Sequence, residues 1–261
     1  MEFGRMTSPE IRDLEDKERV VIVIPVGATE QHGRHLPLQV DSVLVGDVAQ
    51  RAASSVSEET HVYVTPTFWL GCSDHHMDFA GTLGLSQETF TRAMTELGMC
   101  FVRHGFKKLL FLNGHSYNLP LLQVAIRSIR DATDGSVIAA TANYWQFIPE
   151  AIEQLRGSPI GGMAHACEFE TSAMLAIAPE QVDMKQAVRH MPTWNTPYFV
   201  MDLAASRRVI VAHHVADLSP SGVFGDATIA TVEKGEGLLE AAGSSIAKFI
   251  DDFSTWEFGT L

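Results

Sequence analysis

Side chains that commonly bind metal ions are concentrated near the start of the chain, in residues 27–41. The candidate ligands there are two carboxylates and two imidazoles: Glu30, His32, His35 and Asp41. Such groups are the usual protein ligands of zinc, manganese and iron. Glu30 and His32 are two residues apart, so an extended backbone would project both to the same side. The spacing also fits a solvated polar loop in which Asp41 caps a helix, and both interpretations stay open.

A second cluster, Asn113–Asn118, places His115 directly after an apolar run. Gly114 beside it would let a ligand approach the backbone closely. The same residues could form an ordinary turn between a strand and a helix, with Asn118 as the helix cap. His115 is therefore a candidate ligand whose role depends on its neighbours in space.

The third cluster, His165–Ser172, leads into an apolar helical pattern and contains two glutamates. His165 and Glu168 are three residues apart and could share a helix face. Glu168 and Glu170 are separated by roughly 200° around a helix, so they should not both point into one site. The alternative is an acidic first turn that complements the helix dipole.

A fourth cluster, Gly71–Thr82, contains His75, His76 and Asp78, which could bind a metal or a substrate. For His75 and Asp78, a polar loop without a direct chemical role is the favoured interpretation.

Alternating strand and helix patterns position these clusters. Apolar runs predict strands at Val20–Val26, His61–Thr65, Lys108–Leu112 and Val137–Thr141. Helical periodicity predicts helices at Ser42–Ser55, Ser86–His104, Leu119–Asp131, Pro149–Leu155, Glu168–Ile177 and Ala227–Phe253. This order favours an α/β fold with a mostly parallel sheet covered on both faces. Ligands of such sheets bind beyond the carboxyl ends of the strands, which the polar clusters follow.

The chain shows no linker, repeat or low-complexity stretch, which predicts a single domain over residues 1–261. Val209–Ala212 is a further strand candidate. The region Arg189–Ser221 has little periodicity and contains several prolines and aromatics, which is typical of a long ordered excursion. This region could form an oligomer interface.

Composition narrows the classes of partner. A formal charge of −13 repels phosphate backbones, so we expect no nucleic-acid partner, and no attraction to anionic membranes. No apolar run is long enough to span a bilayer, and residues 1–17 lack the apolar core of a secretory signal. The cysteines, Cys72, Cys100 and Cys167, are few and odd in number, which favours a reducing compartment and a cytoplasmic location. Cys72 and Cys167 are weak candidates for a nucleophile.

Taken in order, the four clusters resemble the creatininase (creatinine amidohydrolase) family. The matching strings are PVGATEQHGRHLPLQVD, GCSDHHMDFAGT, FLNGHSYN and HACEFETSAML, with a weaker match, SGVFGDATIATVEKG, at Ser221–Gly235. The resemblance implies a three-layer α/β/α sandwich around a mostly parallel sheet. It also implies a homohexamer and two divalent metal ions per chain, with zinc, manganese and iron all suitable.

The resemblance also implies a set of metal ligands. It comprises Glu30, His32, Asp41 and His115, with Asp41 bridging the two ions. Creatininase has a metal-binding glutamate where this chain has Tyr117. Many relatives instead carry a glutamate at the position of Glu168, so Glu168 is expected to be the replacement ligand. Glu170 matches the glutamate of the shared ETS string and is expected to be a ligand or to lie just behind the ligands.

Further matches imply roles in catalysis and substrate binding. His165 matches a histidine of the creatininase active site and is expected to carry a proton to the leaving nitrogen, with Glu168 beside it in the catalytic machinery. Trp145 matches a tryptophan that packs against substrate. The remaining substrate-binding candidates are Ser73, His76 and Tyr117. Two departures, Ala80 for a proline and Cys167 for a glycine, weaken an assignment to creatinine itself.

The implied activity is that of a metal-dependent amidohydrolase that cleaves the C–N amide bond of a small, cyclic, creatinine-like substrate. Its nucleophile would be a hydroxide shared by the two ions, with Glu30 and His115 completing one ion and His32 with Glu168 the other. A deformylase or a small-peptide peptidase of the same family is the alternative substrate class. Two other classes also stay open: a non-catalytic, metal-stabilised oligomeric binding protein and a cysteine-dependent amidohydrolase.

Overall fold

A parallel four-stranded sheet forms the centre of the fold. The computed structural model describes residues 1–194, 196–205 and 208–257. The strands are β1 (Val21–Val26), β2 (Val62–Val64), β3 (Lys108–Asn113) and β4 (Ile138–Asn143). They lie in the order β2-β1-β3-β4, and every neighbouring pair is parallel. The carboxyl ends of β1 and β3 are therefore adjacent, and the first two polar clusters lie side by side.

Helices cover both faces of this sheet. They are α1 (Ser8–Arg12), α2 (Val40–Ala53), α3 (Gln87–Arg103), α4 (Leu119–Ala132), α5 (Pro149–Leu155), α6 (Glu168–Ile177), α7 (Val215–Leu218) and α8 (Val232–Thr255). Within the described part of the chain, none of them is both long and apolar enough to cross a membrane.

The alternation of side chains along β1 creates two separate cores. Ile22 and Ile24 pack on one face with residues of α3 and α4. Val21 and Val23 pack on the other face with residues of α2, α6 and α8. All of β1 is buried, as expected for a strand covered on both faces. Each such side chain contributes about 1.5–3 kcal/mol by burial. The predicted three-layer α/β/α architecture is confirmed.

A small antiparallel sheet beside the main one was not predicted. It consists of β5 (Met163–His165), β6 (Arg189–His190) and β7 (Phe224–Asp226), in the order β5-β7-β6. Strands this short carry too little periodicity to be recognised in the sequence. This sheet holds His165 in place.

The last helix begins later than its periodicity indicated. Residues Ala227–Ile229 form a 3₁₀ turn, in which the Asp226 carboxylate accepts from Thr228 N at 3.1 Å. The α-helix then starts after Thr231, whose hydroxyl accepts from Lys234 N at 3.3 Å. The strand predicted at Val209–Ala212 is wrong, since this segment is irregular and Ile210 is 88% exposed.

Candidate metal centre

Two glycines allow the amino-terminal end of α2 to reach the edge of the sheet. A Cβ on Gly27 would lie 2.6 Å from the Cα of Ser42, and a Cβ on Gly114 would lie 2.7 Å from the carbonyl oxygen of Asp41. Neither approach is possible for a larger residue. Asp41, in the first turn of α2, is thereby brought between the polar segments that follow β1 and β3.

Asp41 faces a different histidine with each of its oxygens. Its Oδ1 lies 3.2 Å from His32 Nε2, and its Oδ2 lies 3.1 Å from His115 Nδ1. The carboxylate is 3% exposed. A carboxylate that divides its oxygens between two imidazoles is placed to bridge two ions.

Glu30 occupies the centre of the cluster and is completely buried. Its Oε1 lies 3.3 Å from His115 Nδ1, 3.3 Å from His76 Nε2 and 3.7 Å from His165 Nδ1. Three sets of potential ligand atoms each fall within 4.8 Å of one another: Glu30 with His75 and His115, Glu30 with His32 and His165, and His32 with Asp41 and Glu170.

Several buried atoms at this point have no hydrogen-bond partner among the described residues. They are both oxygens of Glu30, Oδ2 of Asp41 and Nε2 of His32. Leaving a buried polar atom unpaired costs about 1–3 kcal/mol, more for a charged group. Carboxylate oxygens and imidazole nitrogens that are orphaned together are the donor set of a divalent transition metal. The residues present therefore fit the two ions that the sequence predicts.

Outer hydrogen bonds leave the inner ring nitrogens of the two ligand histidines free. His32 Nδ1 lies 3.1 Å from the main-chain oxygen of Glu30, and His115 Nε2 lies 3.2 Å from that of Cys72. A carbonyl can only accept, so each of these nitrogens carries the proton. In the neutral form that binds a metal, the lone pairs of His32 Nε2 and His115 Nδ1 would therefore face Asp41, which is the usual orientation of metal-binding histidines.

Burial and charge act against each other in this cluster. Burial would lower the pKa of His32, but the carboxylates of Asp41, Glu170 and Glu30 outweigh burial and raise the pKa to about 9. Burial raises the pKa of Glu170 to about 7, with His32 opposing the rise. For Glu30, burial is outweighed mainly by His115, and the pKa is held well below its ordinary value. The carboxylates thus need positive charge close by, which divalent ions would supply.

The expectation that Glu168 is a metal ligand needs correction. The Glu168 carboxylate accepts from Gly157 N at 2.7 Å and from Ser158 N at 2.9 Å, and it forms an ion pair with Lys234. Its oxygens are therefore occupied outside the cluster. Glu170, two residues further along α6, lies 4.0 Å from His32 Nε2 and belongs to the set with Asp41. Glu170 is therefore the late glutamate whose carboxylate lies among the candidate ligands.

His165 ends β5 and lies beside the cluster. Its Nε2 is 2.8 Å from the main-chain oxygen of Gln31, and its ring is 4.3 Å from that of His32 between centroids. Burial and the nearby His32 lower the pKa of His165 to about 4, so the ring is neutral at neutral pH. A neutral imidazole at this position can accept a proton.

A cavity of about 180 Å³ opens over the cluster. Its floor includes Glu30, Asp41, His115 and Glu170, and its walls include His76, Tyr117, Trp145 and His165. Ser73 is fully buried and is not among the residues that line the cavity, so its contact with substrate stays a prediction. Tyr117 stacks on His75 with ring centroids 3.5 Å apart, so the residue that replaces the creatininase glutamate forms part of the wall.

Sequence reasoning missed two parts of this site. His75 was assigned to a polar loop, but it is 6% exposed and belongs to a set with Glu30 and His115. The excursion Arg189–Ser221 supplies an apolar wall of the cavity: Met201, Leu203, Ile210, Val211 and Val215. The one sequence signal for such a wall is that residues 189–221 lack a polar pattern.

Comparison with known proteins supports the resemblance. The profile of the family described as "Creatininase: Creatinine amidohydrolase" matches residues 4–250 of the chain.

The chain belongs to the creatininase family.

Curated relatives in this family differ in their named activities. A creatinine amidohydrolase of Pseudomonas putida is 32% identical over 244 residues, which are 88% of each chain. A 3-dehydro-scyllo-inosose hydrolase of Thermotoga maritima is 30% identical and covers 96% of this chain and 82% of its own. A mycofactocin precursor peptide peptidase of Mycobacterium tuberculosis is 30% identical, and the match covers 92% of this chain and 86% of the peptidase. The chain is accordingly a hydrolase of a family that acts on C–N amide bonds.

Solved creatininase structures share the fold. A crystal structure of creatinine amidohydrolase superposes with a TM-score of 0.81 at 29% identity, covering 98% of both chains. Two other similar structures, also 29% identical, are a manganese form, with a TM-score of 0.79, and a zinc–zinc form of a variant, with a TM-score of 0.77. They cover 96% of this chain and at least 96% of their own.

Proposed function

We propose that this creatininase-family hydrolase is a two-metal enzyme that opens the C–N bond of a small, cyclic, creatinine-like amide. The observation that carries the proposal is the division of the two Asp41 oxygens between His32 and His115. The first ion would be held by Glu30, His115 and Asp41, and the second by His32, Glu170 and Asp41. Zinc, manganese and iron all suit this mixed oxygen and nitrogen set.

When bound, such a pair of ions supplies Lewis acidity, which polarises the amide carbonyl and makes water a competent nucleophile near neutral pH. The side chains of the enzyme do the remaining work. His165 Nδ1, which faces Glu30, is placed to take a proton and deliver it to the leaving nitrogen. Trp145 on the cavity wall would pack against a flat ring and exclude water.

The size of the cavity supports a small substrate. At about 180 Å³ it is smaller than the 300–1,000 Å³ that is typical of pockets for drug-sized ligands. A small ring fits this space better than a folded peptide segment does.

The decisive experiment combines metal analysis with an amide screen on one preparation. We expect about two divalent ions per chain, as for a bridged pair, and turnover of one class among creatinine-like rings, formamides and short peptides. Metal content of zero or one ion, together with no turnover, would instead support the non-catalytic binding protein.

A peptidase or deformylase activity is the second candidate, and one observation favours it. Ile210 is 88% exposed and lines the cavity together with Val211 and Met201. A substrate with an apolar side chain would cover this surface, whereas creatinine would not. Preferential cleavage of short peptides with apolar residues next to the scissile bond would establish this alternative.

A cysteine-dependent mechanism is disfavoured by the state of the thiols. Cys167 and Cys72 are buried, and burial raises the pKa of both, to about 11 for Cys72. A thiol must ionise to act as a nucleophile. Activity that survives chelators but is lost on alkylation would reverse this conclusion.

We further propose that the chain forms a homohexamer, is located in the cytoplasm and folds as one domain over residues 1–261. Family resemblance supports the hexamer, and the three free cysteines suit a reducing compartment. Light scattering on the metal-loaded protein would test the assembly: a mass near that of six 28.6 kDa chains is expected, and a monomer would contradict it.

A further inference from the structure

Gln31 is a buried amide that contacts two imidazoles of the metal centre. Its Nε2 lies 2.8 Å from His76 Nδ1, 3.0 Å from His165 Nε2 and 3.1 Å from the main-chain oxygen of Gly222. On their opposite edges, both rings face the same carboxylate oxygen, Oε1 of Glu30. The amide therefore touches the outer nitrogen of each ring while the inner nitrogen faces the site.

Two main-chain groups fix the orientation of this amide. Gly33 N donates to Gln31 Oε1 at 2.9 Å, and the carbonyl of Gly222 can only accept from Nε2. A flipped amide would place oxygen against oxygen at Gly222 and two donors against each other at Gly33. The NH₂ group must consequently point toward His76. His76 Nδ1 then accepts a hydrogen bond, and the proton of this neutral ring is on Nε2.

A different group fixes the tautomer of His165. Its Nε2 lies 2.8 Å from the main-chain oxygen of Gln31, which is an obligatory acceptor. The proton of His165 is therefore on Nε2, and the lone pair on Nδ1 faces Glu30. The two amide hydrogens of Gln31 go to His76 and Gly222, so each of them has an acceptor.

We propose that Gln31 is a positioning residue that holds both rings as Nε2–H tautomers, His76 through its side-chain amide and His165 through its main-chain oxygen. Because the two rings turn opposite edges toward Glu30, the site receives an N–H from His76 and a lone pair from His165. No motif indicated this role, because the spacing around Gln31 singles out only its neighbours Glu30 and His32.

The assignment defines what each ring can do. His76 presents Nε2–H to the site, 3.3 Å from Glu30 Oε1, so it can donate to a substrate oxygen and is not a ligand through that atom. His165 Nδ1 can accept a proton from the attacking water and pass it to the leaving nitrogen as the C–O bond forms and the C–N bond breaks. This catalytic consequence rests on the proposed amidohydrolase function, whereas the tautomers do not.

Neutron diffraction on zinc-loaded crystals locates the protons directly. We expect deuterium on His76 Nε2 and on His165 Nε2, with none on either Nδ1. Deuterium on His76 Nδ1 would overturn the proposal whether or not the enzyme is active. In the Gln31→Met variant, which keeps the length of the side chain but cannot donate, His76 should lose its single tautomer while His165 keeps its proton on Nε2.

Kinetics of the same variant separate positioning from folding. Gln31→Met should keep both metal ions and a similar KM, while kcat falls about 10–100-fold, as for other residues that orient groups around a metal. The matched control is Thr82→Val, because Thr82 Oγ1 accepts from Gln31 N at 3.2 Å and touches neither imidazole through this bond. The control should retain both tautomers and nearly full kcat.

The outcomes distinguish this inference from the proposed function. If the wild-type protein carries two ions and hydrolyses an amide but Gln31→Met has an unchanged kcat, the role of Gln31 is wrong and the function stands. If Thr82→Val loses as much kcat as Gln31→Met, the effect is structural and the inference fails. If the wild-type protein hydrolyses no amide, the proposed function fails, and the neutron map alone decides the tautomers.

Discussion

Single side chains at this centre have separable tasks, and Asp41 has the most demanding one. It is the residue whose two oxygens face different histidines, at 3.2 Å and 3.1 Å. His165, in contrast, faces the cluster with one nitrogen and is held from behind by a main-chain carbonyl. Replacing Asp41 should therefore have a different effect on metal content and turnover than replacing His165.

Replacing the bridge should remove the metals. Asp41→Asn turns one oxygen into a donor that faces an imidazole, so we expect loss of at least one ion per chain and of nearly all activity. Elemental analysis of the purified variant measures the first effect and the amide assay the second. Full metal content in this variant would contradict the bridging role.

Replacing the acid–base residue should spare the metals. We expect His165→Ala to retain its ions while turnover falls on the order of 10²–10⁴-fold, the usual contribution of a general acid–base group. Elemental analysis and kcat on the same sample test this. Normal turnover would remove His165 from the mechanism, whereas loss of metal would make it a ligand.

Secondary-structure elements decide which of the two late glutamates reaches the site. Glu168 and Glu170 leave α6 in directions roughly 200° apart. Glu168 joins α6 to the amino-terminal end of α8 through Lys234 and binds the backbone at Ser158, while Glu170 faces His32. The first glutamate links distant segments of the chain, and the second lies among the candidate ligands.

The contribution of Glu168 to stability should depend on pH. Burial would raise its pKa, but Lys234, Ser158 and Gly157 outweigh burial and lower it below the ordinary 4.5. A carboxyl with a depressed pKa stabilises the fold fully above its unfolded-state value, and the effect is lost as pH falls through the folded-state value. Glu168→Gln should cost about 1.5–3 kcal/mol near neutral pH, as for hydrogen bonds to charged groups.

Thermal unfolding of wild type and Glu168→Gln across pH 3–7 measures that difference. The gap in Tm should be constant above about pH 5 and shrink in more acidic solution. Glu240→Gln on α8 is the control, because this ion-pair partner of Arg51 is 78% exposed and should show a small gap throughout. Metal content unchanged in Glu168→Gln would agree with its exclusion from the ligand set.

The approach of α2 to β3 should tolerate no side chain at position 114. In Gly114→Ala the new Cβ would meet the carbonyl oxygen of Asp41 at 2.7 Å, so the first turn of α2 must move. We expect a loss of about 1–3 kcal/mol from overpacking and reduced metal content. Gly237→Ala is the control, because its Cβ meets only the flexible end of Leu155. Equal metal content in both variants would contradict this account.

The stability of the folded protein should be linked to metal occupancy. Three buried carboxylates, Glu30, Asp41 and Glu170, converge at one edge of the sheet. Without ions they repel one another, and folding must bear the cost of burying them. An ion that binds only the folded state adds about 2.7 kcal/mol when present at 100 times its Kd.

Removal of metal should therefore lower the Tm. We expect dialysis against a chelator to destabilise the wild-type protein and added zinc or manganese to restore it, as measured by calorimetry. The Asp41→Asn variant should shift much less, since its site no longer holds both ions. A wild-type Tm that does not respond to chelation, in protein shown to be metal-free afterwards, would contradict this linkage.

The family, the α/β class and most of the strands and helices could be predicted from the sequence. These features depend on local signals: apolar runs, helical periodicity and polar strings at fixed spacing. The same signals placed Glu30, His32, Asp41 and His115 at the ends of predicted strands or at a helix start, and their side chains do converge in the structure.

The neighbours that these residues face depend on long-range packing and could not be predicted from the sequence. Gln31 contacts His76 and His165 across separations of 45 and 134 residues, and no local pattern encodes such contacts. The direction of Glu168 was likewise fixed by Lys234, 66 residues further along the chain. Spacing constrains the path of the backbone over a few residues, whereas tautomers, bridging geometry and the choice between two glutamates depend on packing between distant segments.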